Sequence, residues 1–181
     1  MRVVAGEQRG IPLRTLKGND TRPTSDKVKE SLFNRIGPYL DGGIAVDLFA
    51  GSGSLGIEAL SRGAEHAYFF EKERKALPII QQNLEKCRLT DRATVIGQRA
   101  ERSVAHLLRE GIKVNYLFVD PPYELKEMYE LPARFEEEGL LADDALIICE
   151  HDRQTKLPER YGRFTVENCS SYGSISVTIY S

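Results

Sequence analysis

The spacing of apolar residues along the chain changes character near residue 44. Before that point, "RVVAG" and "IPLRTL" are short strand-like runs separated by a polar, glycine-containing stretch, which reads as a hairpin. "KGNDTRPT" gathers turn-forming residues. Val28, Leu32, Phe33 and Ile36 then recur at helical spacing, with Thr24 or Ser25 available as a cap and Asp26 at the positive end of the helix. "PYLDGG" closes it.

From Ile44 onward, short apolar runs alternate with helical patterns. Strands are expected at 44–49, 66–71, 93–97, 114–120 and 145–151. Helices are expected at 55–60, 73–89, 100–110 and 127–138, with Pro78 forcing a late start or a kink in the second. The tail, "RFTVENCSS", Tyr172-Gly173 and "SISVTIYS", reads as an antiparallel hairpin. Alternating units of this kind build a mostly parallel α/β sheet with helices on both faces. Seven strands are expected, the last antiparallel, with residues 1–40 as a hairpin-and-helix extension on a domain formed by residues 41–181.

Composition narrows the class. A chain of 181 residues that is 41% hydrophobic suits one compact domain with a small appendage. No apolar run is long enough to span a bilayer, and "MRVVAGEQRG" lacks the apolar core of a secretory signal. Cys87, Cys149 and Cys169 show neither disulfide nor zinc spacing, so reduced thiols in a cytoplasmic protein and no metal are expected. His66, His106 and His151 form no catalytic pattern. No heptad or long apolar surface helix appears, so a monomer is expected. The net charge of −2 conceals a polarity: residues 1–40 carry +4 and the remainder −6. A basic N-terminal segment suits a polyanionic partner, although a solvated basic face has the same signature.

The chemistry is concentrated where strands end, since ligands of open α/β sheets bind beyond the carboxyl ends of the strands. Gly51, Gly53 and Gly56 spell G-x-G-x-x-G, and Glu71 follows Gly51 by 20 positions, as in a dinucleotide site. Asp47 argues otherwise. An ionised carboxylate four positions before Gly51 repels a pyrophosphate and attracts a cation. S-adenosylmethionine offers an ammonium, a carboxylate and a sulfonium, and Glu71 can accept from ribose hydroxyls under either reading. The fourth strand ends in "DPPY", Asp120, Pro121, Pro122 and Tyr123. Two prolines remove two N–H donors, which leaves nearby carbonyls without local partners. Asp120 is an acceptor, and Tyr123 offers a ring for stacking on a base. Acceptors on both N–H bonds of an exocyclic base amine hold its nitrogen nearer tetrahedral geometry, with the lone pair towards a methyl donor.

"DLFAGSGSLGIEALSRGA", "VDPPY", "RVVAGEQRGIPL" and "RPTSDKVKESLFN" together resemble the bacterial 16S ribosomal RNA guanine-N2 methyltransferases, ribosomal small-subunit methyltransferase D, over nearly the whole chain. The resemblance implies a Rossmann-like seven-stranded methyltransferase sheet. It also implies S-adenosyl-L-methionine as donor, and one guanine of 16S rRNA, in the small subunit or its assembly intermediate, as acceptor. By position, Asp47, Phe49, Gly51, Ser52 and Gly53 would hold the methionine part and Glu71 the ribose. Asp120 to Pro122 would grip N2, and Tyr123 would stack on the base, with Asp120 also beside the cofactor. Where many such enzymes carry an acid after the third strand, this chain has "GQRAE", so backbone groups at Arg99 and Ala100 are expected at the adenine. Arg2, Arg9, Arg22, Thr24, Lys27 and Lys29 become candidate RNA contacts. The stretch from Arg22 to Asp26 is equally compatible with a lid over the cofactor. The target base should leave its stack to reach the donor.

Three other readings compete. A DNA or RNA adenine-N6 or cytosine-N4 methyltransferase shares D-P-P-Y, but the chain has little room for a separate DNA-recognition domain. An NAD-dependent dehydrogenase is disfavoured by Asp47 and by the absence of a hydride-site His or Tyr constellation. A non-catalytic RNA-binding assembly factor would have no use for an intact Asp120 to Tyr123 set.

Overall fold

Most of the chain's strands are buried on both faces, and the architecture follows from that. The computed structural model describes residues 1–16 and 26–181. The expected turn at 17–23, the caps Thr24 and Ser25, and the candidate contact Arg22 lie outside the described residues.

Helix α1 spans Asp26–Ile36. The alternating region then runs β1 (Ile44–Asp47), α2 (Ser54–Arg62), β2 (His66–Phe70), α3 (Leu77–Lys86), β3 (Ala93–Ile96), α4 (Ser103–Arg109), β4 (Val114–Val119), α5 (Leu131–Glu137) and β5 (Leu141–Asp152). Strands β6 (Arg160–Tyr161), β7 (Phe164–Tyr172) and β8 (Ile175–Tyr180) complete the chain. They form one sheet in the order β3-β2-β1-β4-β5-β8-β7-β6. Strands β1 to β5 are parallel, and β8 inserts antiparallel between β5 and β7. Chain direction across the sheet reverses between β1 and β4, the switch point where α/β folds open a crevice.

Two apolar cores cover the faces. Ala45, Phe69, Phe118 and Ile148 pack with α1, α2 and α3 on one side, where Val3, Leu13, Leu32 and Phe33 of the N-terminal segment join the same cluster. Val46, Phe70, Leu117 and Ile147 pack with α4 and α5 on the other. No helix among the described residues is long and apolar enough to cross a membrane.

Some expectations hold and others are corrected. The N-terminal hairpin forms, with an antiparallel bridge between Arg2 and Pro12 and cross-strand bonds from Val3 N–H to the Ile11 carbonyl at 2.9 Å, Gly10 N–H to the Val3 carbonyl at 2.8 Å and Leu13 N–H to the Met1 carbonyl at 2.9 Å. Other donors of the arm reach α2: Val4 and Ala5 N–H donate to the Glu58 carboxylate at 3.0 and 3.1 Å, and Gln8 N–H donates to Ser61 Oγ at 3.0 Å. The arm therefore lies along α2. Gly6 sits so close to it that a Cβ there would come within 1.9 Å of the Ser61 carbonyl oxygen. Helix α3 starts late, with Pro78 in its first turn. Two helices open as 3₁₀ turns, Ala100–Arg102 before α4 and Lys126–Glu130 before α5. Strand β5 continues back through the exposed Asp143 and Asp144 to Leu141. The sheet has eight strands rather than seven, because the two-residue β6 pairs with the edge of β7. Two residues are too few to leave a periodic signal.

Candidate functional site

Strand β1 lies between β2 and β4, with Asp47 in register with Phe69 on one side and Phe118 on the other. The chain then turns through the glycine loop. Leu48 N–H donates to the Phe118 carbonyl and Ala50 N–H to the Phe70 carbonyl, which anchors the loop to both neighbours. Gly51 and Gly53 have φ of 58° and 87°, values that favour glycine. A Cβ at Gly51 would meet nothing within 4 Å, so its outer side is open to a ligand. Gly56 has a different task. A Cβ there would lie 2.3 Å from Phe69 Cε1, so this glycine lets α2 settle onto the sheet.

Asp47 is buried at 2% exposure, and its Oδ1 has no hydrogen-bond partner among the described residues. Burial pushes its pKa up to about 7, opposed by the backbone N–H groups of Phe49 and Gly56 and reinforced by the charges of Glu71 and Glu150. Among the described residues no cation offsets its charge, and a ligand ammonium would supply one. Glu71, half-buried at the end of β2, accepts from Gly51 N–H at 2.9 Å and from Glu73 N–H at 2.8 Å. Both bonds fix its direction and leave acceptor capacity on each oxygen. Phe49 and Ser52 lie in the same loop, half-buried. The residues present thus fit a ligand with a cationic group at Asp47 and a diol at Glu71.

Asp120 stands two residues beyond Phe118, so it follows β4 beside Asp47. Alternation along the strands puts both side chains on the face shared by Ala45 and Phe118. Pro121 is buried, while Pro122 and Tyr123 face outward, Tyr123 at 41% exposure. The expectation that the carbonyls here lack local partners is not met at Pro122, whose oxygen accepts from Leu125 N–H at 3.0 Å. Proline removes only its own donor, and a residue three positions on supplies another.

Sequence reasoning missed Glu150. In register, Val119 pairs with Cys149, which sets Glu150 level with Asp120 on the next strand. It is buried at 5% exposure and its charge reaches Asp47. Asp47, Glu71, Asp120 and Glu150 therefore come from four neighbouring strands, β1, β2, β4 and β5, with Glu150 still inside its strand. After β3, Arg99 is exposed and Ala100 is buried at the start of its 3₁₀ turn. The Ala100 carbonyl already accepts from Ser103 Oγ at 2.5 Å, so its N–H is the better candidate for a ligand ring nitrogen.

The proposed RNA contacts divide. Arg2, Arg9 and Lys27 are exposed, with Arg2 Nε 3.9 Å from Asp26. Arg22 and Thr24 lie outside the described residues. Lys29 is corrected: its ammonium is fully buried, 3.2 Å from Glu58, and donates to the Arg2 carbonyl at 2.7 Å and Ser54 Oγ at 3.0 Å. Glu58 also accepts from Arg62 Nε at 2.7 Å. Lys29 thus ties α1 and the N-terminal arm to α2, and no phosphate can reach it.

Comparison with known proteins places the chain among relatives. The family described as conserved hypothetical protein 95 matches residues 1–181. The Bacillus subtilis (strain 168) protein YlbH, provisionally named an rRNA methyltransferase, is 44% identical over 180 residues, covering 99% of this chain and 98% of that protein. Ribosomal RNA small subunit methyltransferase D of Escherichia coli (strain K12) is 33% identical over 180 residues, covering 99% and 89%. A solved Escherichia coli structure, provisionally described as the methyltransferase yhhF, superposes with a TM-score of 0.82 at 34% identity, covering 99% of this chain and 96% of that one.

Proposed function

The chain belongs to the conserved hypothetical protein 95 family, together with the small-subunit rRNA methyltransferases D, and we propose that it is an S-adenosylmethionine-dependent enzyme that methylates the exocyclic N2 amine of one guanine in 16S rRNA. It acts in the cytoplasm, on the small subunit or its assembly intermediate. The observation that carries this reading is the buried Asp47 Oδ1 without a partner among the described residues, set beside Asp120 at the switch point.

When bound, S-adenosylmethionine supplies a methyl group on a sulfonium. Asp47 takes up the ammonium, and the open side of Gly51 admits the methionine portion. Glu71, aimed by two backbone N–H groups, accepts from the ribose hydroxyls. Arg99 and Ala100 border the adenine. On the acceptor side, Tyr123 offers its exposed ring to the extruded guanine. The Asp120 carboxylate accepts an N2–H, turning the nitrogen lone pair towards the methyl carbon and stabilising the positive charge that develops as the new N–C bond forms. The methyl–sulfur bond would break as the N–C bond forms, leaving a neutral thioether, and the proton of the methylated amine, now strongly acidic, would pass to the Asp120 carboxylate or to water, so no strong general base is required. The exposed Arg2, Arg9 and Lys27 contribute phosphate contacts, and Arg22 and Thr24 belong to the same basic segment.

The test separates the two halves of the site. Asp120→Ala should lose methyl transfer by more than about 100-fold while S-adenosylmethionine binding, measured by calorimetry, stays close to wild type. Turnover unchanged in that variant removes Asp120 from the chemistry.

A further inference from the structure

The glycine loop is supported from beneath by α3. A Cβ at Gly53 would lie 3.3 Å from Ile80 Cγ2, so the loop rests on that helix. One turn further along, Asn83 is buried at 1% exposure and commits its whole amide to two other segments. Its Nδ2 donates to the Ser52 carbonyl at 2.8 Å and to the Arg14 carbonyl at 3.0 Å, and its Oδ1 accepts from Arg14 N–H at 2.9 Å. These partners fix the orientation of the amide, because a flipped group would set its oxygen against two carbonyls. Asn83 therefore joins the glycine loop to the N-terminal arm through one nitrogen. Arg14 itself is exposed, and its Nη1 donates to Gln82 Oε1 at 2.5 Å. Lys86 Nζ donates to the Pro12 carbonyl at 2.9 Å, so the returning strand of the arm is stitched along α3.

We infer that Asn83 is a positioning residue, which sets the spacing between the glycine loop and an RNA-phosphate contact at Arg14. The loop holds the methyl donor, and a phosphate on Arg14 holds the strand that carries the target base. Because the Ser52 and Arg14 carbonyls accept from the same nitrogen, neither segment can shift against the other without breaking a bond to a buried amide. A guanidinium has five N–H donors in a rigid fork, and phosphate accepts from that fork without regard to base sequence. Unlike a contact at the tip of the arm, such as Arg9, Arg14 is tied to the glycine loop by its own backbone, so a phosphate bound there is placed relative to the donor. This inference rests on the rRNA methyltransferase reading above.

The test uses small subunits that lack the modification. Arg14→Ala keeps the backbone bonds to Asn83 and removes the cation. It should lower the slope of log subunit affinity against log salt by about 0.7 and leave S-adenosylmethionine affinity at the wild-type value. Asn83→Asp keeps an acceptor for Arg14 N–H but turns an oxygen towards two carbonyls. It should weaken S-adenosylmethionine binding to the free protein about tenfold and raise KM for the subunit about tenfold. A purely structural Asn83 would lower Tm and leave both constants unchanged in the folded protein. Asn83→Ala adds no buried charge and serves the same comparison if Asn83→Asp does not fold. An unchanged salt slope in Arg14→Ala overturns the inference, and so does an unchanged S-adenosylmethionine affinity or subunit KM in the folded Asn83 variant. Wild type that binds S-adenosylmethionine but transfers no methyl to the rRNA defeats the functional reading instead.

Discussion

With Asp47 in its proposed place at the ligand's cationic group, cofactor binding should depend on pH. The Asp47 pKa in the ligand-free protein is raised to about 7, first by burial. Holding it ionised therefore costs about 4 kcal/mol relative to an exposed carboxylate. A cationic ligand group needs the ionised form. At pH 7 about half of the protein carries it, and at pH 5.5 about 3% does. The ligand's own ammonium stays largely protonated across that window. Affinity for S-adenosylmethionine should thus fall about fifteenfold from pH 7 to pH 5.5, equivalent to about 1.6 kcal/mol. Calorimetry in two buffers of different ionisation heat should show about half a proton released per ligand at pH 7 and nearly one at pH 5.5. Asp47→Asn should bind weakly and without this pH dependence. The same raised pKa bears on folding. Its stabilising contribution is complete below about pH 4 and is lost as pH rises through about 7, so wild type should lose more Tm than Asp47→Asn between pH 6 and pH 8. Equal affinity at pH 5.5 and pH 7, with no proton release, refutes the assignment of Asp47 to a ligand cation.

Lys29→Ala removes one cation from the buried Lys29–Glu58–Arg62 cluster and should destabilise the fold by about 3–5 kcal/mol in urea titration; a loss below about 1 kcal/mol would mean the cluster is far better solvated than its burial indicates. Gly56→Ala would gain helix propensity in isolation, but the clash with Phe69 reverses the sign, and a loss of about 1–3 kcal/mol is expected in the same titration. A rise in stability would contradict the close packing of α2 on β2.

The order of strands and the rim they form were readable because parallel strands buried on both faces leave continuous apolar runs, and their endings stand out. Asp47, Glu71 and Asp120 each interrupt such a run with a charge. Glu150 escaped because "CEH" after an apolar run looks like any strand reaching solvent; only the register with β4 shows that it stays inside. Lys29 was misleading for a related reason. In "DKVKES" it resembles one charge of a wet face, yet it stands three and four positions before Leu32 and Phe33, on the apolar side of α1. Glu58 and Arg62 carried a matching signal, an i,i+4 ion pair inside a helix whose residues are all buried. The N-terminal hairpin was legible, but its docking onto α2 could not be read from its own pattern, because the Val4, Ala5 and Gln8 N–H groups are satisfied by Glu58 and Ser61, more than 50 positions away.

The acceptor atom is identified by incubating the protein with S-adenosylmethionine labelled in its methyl group and small subunits that lack the modification, then digesting the 16S rRNA and resolving the labelled nucleoside by mass spectrometry. A single labelled guanosine carrying the methyl on N2 is expected, present with wild type and absent with Asp120→Ala. Label on adenine N6 or cytosine N4, or no transfer to the rRNA at all, would contradict it.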